Sequence, residues 1–247
     1  MRESSIRIII ACIIIHETLL STPLEVKILA TWGFLTNHAH VLIQIARNPR
    51  STGREIALAA GITERAAISV LHDMRLAGVV STRREGRQNI NRLDMTALAE
   101  HRPWGVSEME IPQALVDATL RGLSHIAANG ACLTNGGAAQ GPPQAERRWG
   151  FLTTQALILI HVTQHPRSTV RETALAVGIT ERATLAALQD LLAFDIIERQ
   201  RAGRRNSYSV NFGRLAVFRR EDANSDLVPD PFVSAIVDAL LTLRPAV

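Results

Sequence analysis

The side chains of widest chemical reach in this chain are its arginines. Of 27 basic residues 26 are Arg, with Lys27 the exception. They gather in two short stretches, Arg83, Arg84, Arg87 and Arg92, then Arg199, Arg201, Arg204 and Arg205. A guanidinium stays charged and offers a planar fork of donors, which matches phosphate oxygens or the O6 and N7 edge of guanine. A genome rich in G and C also raises the Arg share, so the weight rests on where these residues sit.

Other chemistries find little footing. Cys12 and Cys132 stand far apart, and neither has a second cysteine or a histidine cluster beside it, which argues against structural zinc or a disulfide framework and for a reduced, cytoplasmic protein. His38 and His40 are two residues apart; successive helical residues diverge by about 100 degrees, so the pair does not share a face and is expected to place one histidine outward. No nucleophile beside a base, phosphate-binding glycine loop or metal constellation is visible, so no catalytic residue, metal or cofactor is expected.

The elements that must position the arginines come in duplicate. Trp32-Gly33-Phe34-Leu35-Thr36 returns as Trp149-Gly150-Phe151-Leu152-Thr153, and the offset of 117 then holds without a gap for about 63 residues, roughly 29 of them identical. Each copy reads as three helices and a hairpin. In copy one, Ala39, Leu42, Ile43 and Ala46 lie at helical spacing and Pro49 ends the run. Thr52 with Glu55, and Thr169 with Glu172, fit a capping box. Gly61 suits a turn, Thr63 a helix cap, and Ala66, Ala67, Val70, Leu71, Met74 and Ala77 the inner face of a third helix, with Arg65, Ser69, His72 and Asp73 nearer the outer one. Val79 to Arg84 and Gln88 to Leu93 then read as strands around Glu85-Gly86-Arg87; in copy two the turn is Ala202-Gly203-Arg204 and the return Asn206 to Val210.

The motifs Phe34 to Leu42, Gly61 to Ala66 and Gly86-Arg87-Gln88-Asn89, with Gly203-Arg204-Arg205-Asn206 in copy two, give the chain its likeness. It resembles the winged helix-turn-helix of MarR-like and ArsR-like bacterial regulators over most of residues 32–94 and 149–211. The resemblance implies a mainly α fold with small β-wings, duplex DNA as partner and the third helix lying in the major groove. Residues at the start of that helix then see the bases: Thr63, Arg65, Ser69 and His72 beside Glu64, and in copy two Thr180, Arg182 and Gln189 beside Glu181 and Ala186. The wings place Arg83, Arg84 and Arg87, and Arg201, Arg204 and Arg205, along phosphates or into a minor groove. Ser51, Thr52 and Arg54, with Ser168, Thr169 and Arg171, add contacts where a helix start exposes free amides. Ile68 and Leu185 depart from the family's polar pattern, and apolar groups read little beyond a thymine methyl.

Outside the copies, residues 1–31 form an Ile-rich extension whose apolar run, Ile8 to Ile15, is shorter than the about 20 residues that span a bilayer, and no small-residue cleavage site follows it. No membrane association is expected. Repeat one takes in residues 32–128 with an amphipathic helix at Ile111, Leu115, Ala118 and Ile126; residues 129–148, with Gly136, Gly137, Pro142 and Pro143, read as a flexible linker; repeat two fills 149–247 and ends in a helix through Phe232, Ile236, Ala239, Leu240 and Leu243. The functional expectation is a sequence-specific transcriptional regulator whose fused domains imitate a dimer, either as a monomeric pseudo-dimer or as a homodimer. The rival is a protein-interaction module of a chromosome-organising or replication complex, favoured if Ile68 and Leu185 join one apolar patch. The operator and any small-molecule effector stay unspecified.

Overall fold

The computed structural model describes residues 33–101, 109, 111–130, 133–134, 149–202, 205–215 and 238–243. The N-terminal extension, the greater part of the 129–148 segment and residues 216–237 lie outside the described residues. Repeat one runs α1 (Asn37–Arg47), α2 (Gly53–Ala59), α3 (Glu64–Leu76), β1 (Val80–Glu85), β2 (Gln88–Asp94), α4 (Met95–His101), α5 (Gln113–Gly130) and β3 (Leu133–Thr134). Repeat two runs α6 (Thr154–Gln164), α7 (Val170–Val177), α8 (Glu181–Ala193), β4 (Ile197–Ala202) and β5 (Arg205–Val210), followed by short helical turns at 212–215 and 238–242. The architecture is two winged-helix units, each a group of helices followed by an antiparallel hairpin.

Local chemistry sets the boundaries alike in both copies. Thr36, Thr63, Thr153 and Thr180 each cap a helix by accepting from the backbone amide three residues on. Thr52 and Thr169 form full capping boxes with Glu55 and Glu172. Gly61 and Gly178 close the helix-turn-helix with φ of 65° and 73°, a conformation that glycine enters without a Cβ clash. After the third helix Gly78 has φ 73°, whereas Asp195 takes the equivalent corner at φ 56°, a cost that Asp tolerates better than most residues.

The backbone bonds that tie the wing to the helices also repeat. Asn91 N–H donates to the Pro49 carbonyl and Tyr208 N–H to that of Pro166, each at 2.8 Å, while Asp94 and Asn211 donate to Val79 and Ile196. The duplication extends past the span read from the motifs. Asp94 Oδ1 caps α4 through Thr96 and Ala97, Asn211 Oδ1 accepts from Arg214, and Leu98 and Leu215 are buried at matching positions.

One continuous apolar core serves both units, from Leu35 through Leu240. In α1 the expected Ala39, Leu42, Ile43 and Ala46 are buried, joined by Val41 and Ile45. Every residue of α6 from Ala156 to Thr163 is buried, which marks it as a central helix. The amphipathic segment after repeat one forms α5, which packs on α1 and α4. Two expectations need correction. The segment read as linker from 129 onward still belongs to α5 up to Gly130, and Leu133 and Thr134 add a parallel strand beside Leu93 and Asp94. Neither histidine of the His38 and His40 pair turns outward: His40 is buried, and His38 stacks on Trp149 of the other repeat with centroids 5.1 Å apart and reaches Asp73 at 3.7 Å. Asp73 thus faces α1 and not the outer side of α3.

Candidate nucleic-acid interface

The helix-turn-helix presents its third helix with the first turn outward. Glu64, Arg65, Ile68, Ser69 and His72 are exposed on α3, as are Glu181, Arg182, Leu185, Ala186 and Gln189 on α8, while Ala67, Val70, Leu71 and Met74 hold α3 to the core. Spacing explains the split, because positions three and four apart share a face. The hydroxyls of Thr63 and Thr180 cap the helices, accepting from the amides of Ala66 and Ala183 at 3.3 and 3.2 Å. That bond fixes where each helix begins, and both side chains are exposed there.

Ser51 and Thr52 differ from the sequence expectation in kind. Ser51 is buried and its hydroxyl accepts from the Gln44 side-chain amide at 3.0 Å; in copy two Ser168 meets His161 Nε2 at 3.2 Å. This side chain anchors the helix-turn-helix to the first helix. Thr52 is exposed, but both its amide and its hydroxyl donate to the Glu55 carboxylate, at 2.7 and 3.0 Å, and those bonds hold the Glu55 carboxyl below its ordinary pKa. Arg54 and Arg171 extend from the exposed side of the same helices.

On the wing, the register pairs Arg83 with Ile90 and Arg84 with Asn89. All of Arg83, Arg84 and Arg87 are exposed. Arg84 Nε donates to the Gly86 carbonyl at 3.3 Å, which fixes the guanidinium beside the turn, and Gly86 makes that turn with φ 62°. Arg92 instead approaches Glu85 at 3.9 Å, a contact within its own hairpin. In copy two Arg199 and Arg201 are exposed on β4; Arg205 pairs with Ala202 in the ladder, and Arg204 lies outside the described residues. Between wing and helices runs a groove of about 290 Å³, lined among others by Arg50, Thr52, Gly53, Arg75, Arg87 and Asn89. Arg75 Nε donates to Thr82 Oγ1 at 2.9 Å, and Thr82 to Asn91 Oδ1 at 2.8 Å, so a chain of side-chain bonds links the end of α3 to the hairpin.

Two features escaped sequence reasoning. Leu58 and Leu175 are 84% and 74% exposed at equivalent positions. The second is the seam between the repeats. Thr36 N–H donates to the Phe151 carbonyl at 3.0 Å and Thr153 N–H to that of Phe34 at 2.9 Å, while Thr36 Oγ1 donates to the Gly150 carbonyl and Thr153 Oγ1 to that of Gly33. Exchanging the repeats leaves this set unchanged, the mark of a local two-fold axis through the Leu35 and Leu152 bridge.

Among the described residues no group of three or more His, Cys, Asp or Glu could hold a metal ion, and no helix is long and apolar enough to cross a membrane. No protein-family model, curated protein or solved structure matches the chain.

Proposed function

We propose that the chain binds double-stranded DNA as a sequence-specific transcriptional regulator, its fused winged helices presenting two readers as a dimer would. The observation that carries this reading is a set of exposed arginines repeated in both copies: Arg54, Arg65 and Arg84 in copy one and Arg171, Arg182 and Arg201 in copy two hold equivalent positions, and all six are exposed. Guanidinium groups on the helix start, the recognition helix and the wing suit a duplex whose phosphates flank a groove. The likeness of the motifs to MarR-like and ArsR-like regulators points the same way. The groove between α2 and the wing is small for a drug-sized ligand, and its polar, arginine-bearing lining fits a backbone phosphate better than an apolar effector.

The direct experiment selects bound fragments from a pool of random duplexes with the full chain. A reproducible motif of two related half-sites about one helical turn apart is expected. Failure to enrich any sequence above the starting pool at moderate salt would sink sequence-specific binding. A second reading, a protein-interaction module, is favoured by the exposure of Leu58 and Leu175, since paired apolar residues on matching helices suit an apolar partner.

A further inference from the structure

The two recognition helices share an oddity that the reading as a DNA binder does not absorb. Ile68 on α3 is 53% exposed and Leu185 on α8 is 47% exposed, at equivalent positions one turn into each helix. More than half of the aligned positions differ between the copies, and the neighbours have changed, Ser69 to Ala186 and His72 to Gln189. Yet a branched aliphatic side chain stands at this place in both. Its own unit covers only about half of it. Ile68 Cγ1 lies 3.7 Å from where a β-carbon on Gly53 would stand, so it fills the corner between the start of α2 and the exposed face of α3, and the rest of it faces out.

Its surroundings decide what chemistry it meets. Arg65 and Arg54 are exposed on the same two helices, and Arg182 and Arg171 repeat them; an apolar protein surface would leave these guanidinium groups desolvated and unpaired, whereas DNA supplies phosphates for them. Exposed Glu64 and Glu181 are repelled by phosphate and fit base edges, where a carboxylate accepts from a cytosine amino group. A single aliphatic side chain among groups that meet bases has one apolar counterpart in the major groove, the thymine 5-methyl.

We propose that Ile68 and Leu185 each pack on a thymine 5-methyl group, so that the bound duplex carries a thymine at corresponding positions of its two half-sites. This rests on the DNA-binding reading and adds the base that each copy recognises. The test takes a site selected with the full chain and replaces its thymines by deoxyuridine one at a time, which removes only the methyl. One position in each half-site should lose about fourfold in affinity, the worth of one buried methyl. In Ile68→Ala the loss at one half-site should vanish, and in Leu185→Ala the loss at the other, while Leu58→Ala should keep both; circular dichroism checks that each variant is folded. A selected site without thymine at matched positions, or a wild-type chain indifferent to deoxyuridine, overturns the methyl contact and leaves DNA binding standing. Sensitivity that survives in both variants overturns it as well. A chain that selects no duplex at all removes the function and this contact together.

Discussion

At the scale of single residues, His38 and His161 show how each copy solves the same packing problem with different side chains. Gln44 bonds to Ser51 where His161 bonds to Ser168, and His38 stacks on Trp149 at a position where copy two has Gln155. Burial lowers the pKa of both His38 and His161; for His38 the Asp73 carboxylate opposes the shift, and for His161 nearby His165 adds to it while Glu172 opposes it. Because the folded pKa lies below the unfolded value of about 6.5, the unfolded chain binds more protons as the pH drops. The stability these groups contribute is present above that value and is lost as the pH falls through the folded pKa. The melting temperature should therefore decline as the pH falls below about 6.5. His38→Gln and His161→Gln, which copy the residues of the opposite repeat, should flatten the decline without unfolding the protein. A decline of unchanged steepness in the double variant, followed by calorimetry across that range, would assign it to other groups.

At the scale of elements, the proposed DNA binding assigns the wing a general grip distinct from base reading. Arg84 is held beside its turn by the Gly86 carbonyl, and Arg83 and Arg87 project nearby with no aliphatic group to meet a base. If these groups meet phosphates, Arg84→Ala with Arg87→Ala should weaken binding to every duplex alike and flatten the log-log salt dependence by about one unit for each phosphate no longer neutralised. Salt titrations on a selected site and on random duplex check this; an effect confined to the selected site would make the wing a base reader. The wing and the caps are legible in the sequence because each depends on neighbours a few positions away: Thr52 finds Glu55 three residues on, and Gly86 stands between strands whose register follows from it. Leu58 stands in an apolar run, residues 56–60, and only the packing of α2 on α3 decides which side of so short a helix is covered. Ser51 reads as a surface hydroxyl because its partner, Gln44, lies across the Pro49 break in another helix. Thr36 escapes as well, since nothing local betrays that its hydroxyl reaches Gly150, 114 residues away.

At the scale of the whole molecule, that second bond matters most. Thr36 and Thr153 each cap a first helix and at once donate to the opposite repeat, and Leu35 with Leu152 forms an isolated antiparallel bridge between them. A surface that pairs with its own copy is what a two-fold dimer uses; here both halves of it belong to one chain, so the surface is already occupied and the protein should scatter light as a monomer. The seam also couples stability. Thr36→Val removes a cap worth about 1 kcal/mol and leaves the Gly150 carbonyl without its hydroxyl donor, a further loss of about 1 kcal/mol. The methyl of valine keeps the volume, so packing is not the cause. Thr36→Ser keeps the hydroxyl and should recover nearly all of the loss. Since the core runs unbroken through the seam, urea unfolding followed by far-ultraviolet circular dichroism and by tryptophan fluorescence should give coincident single transitions, shifted together by Thr36→Val. Two transitions in the wild-type chain, only one of them moved by the substitution, would mean that the repeats fold independently and that the seam merely joins them.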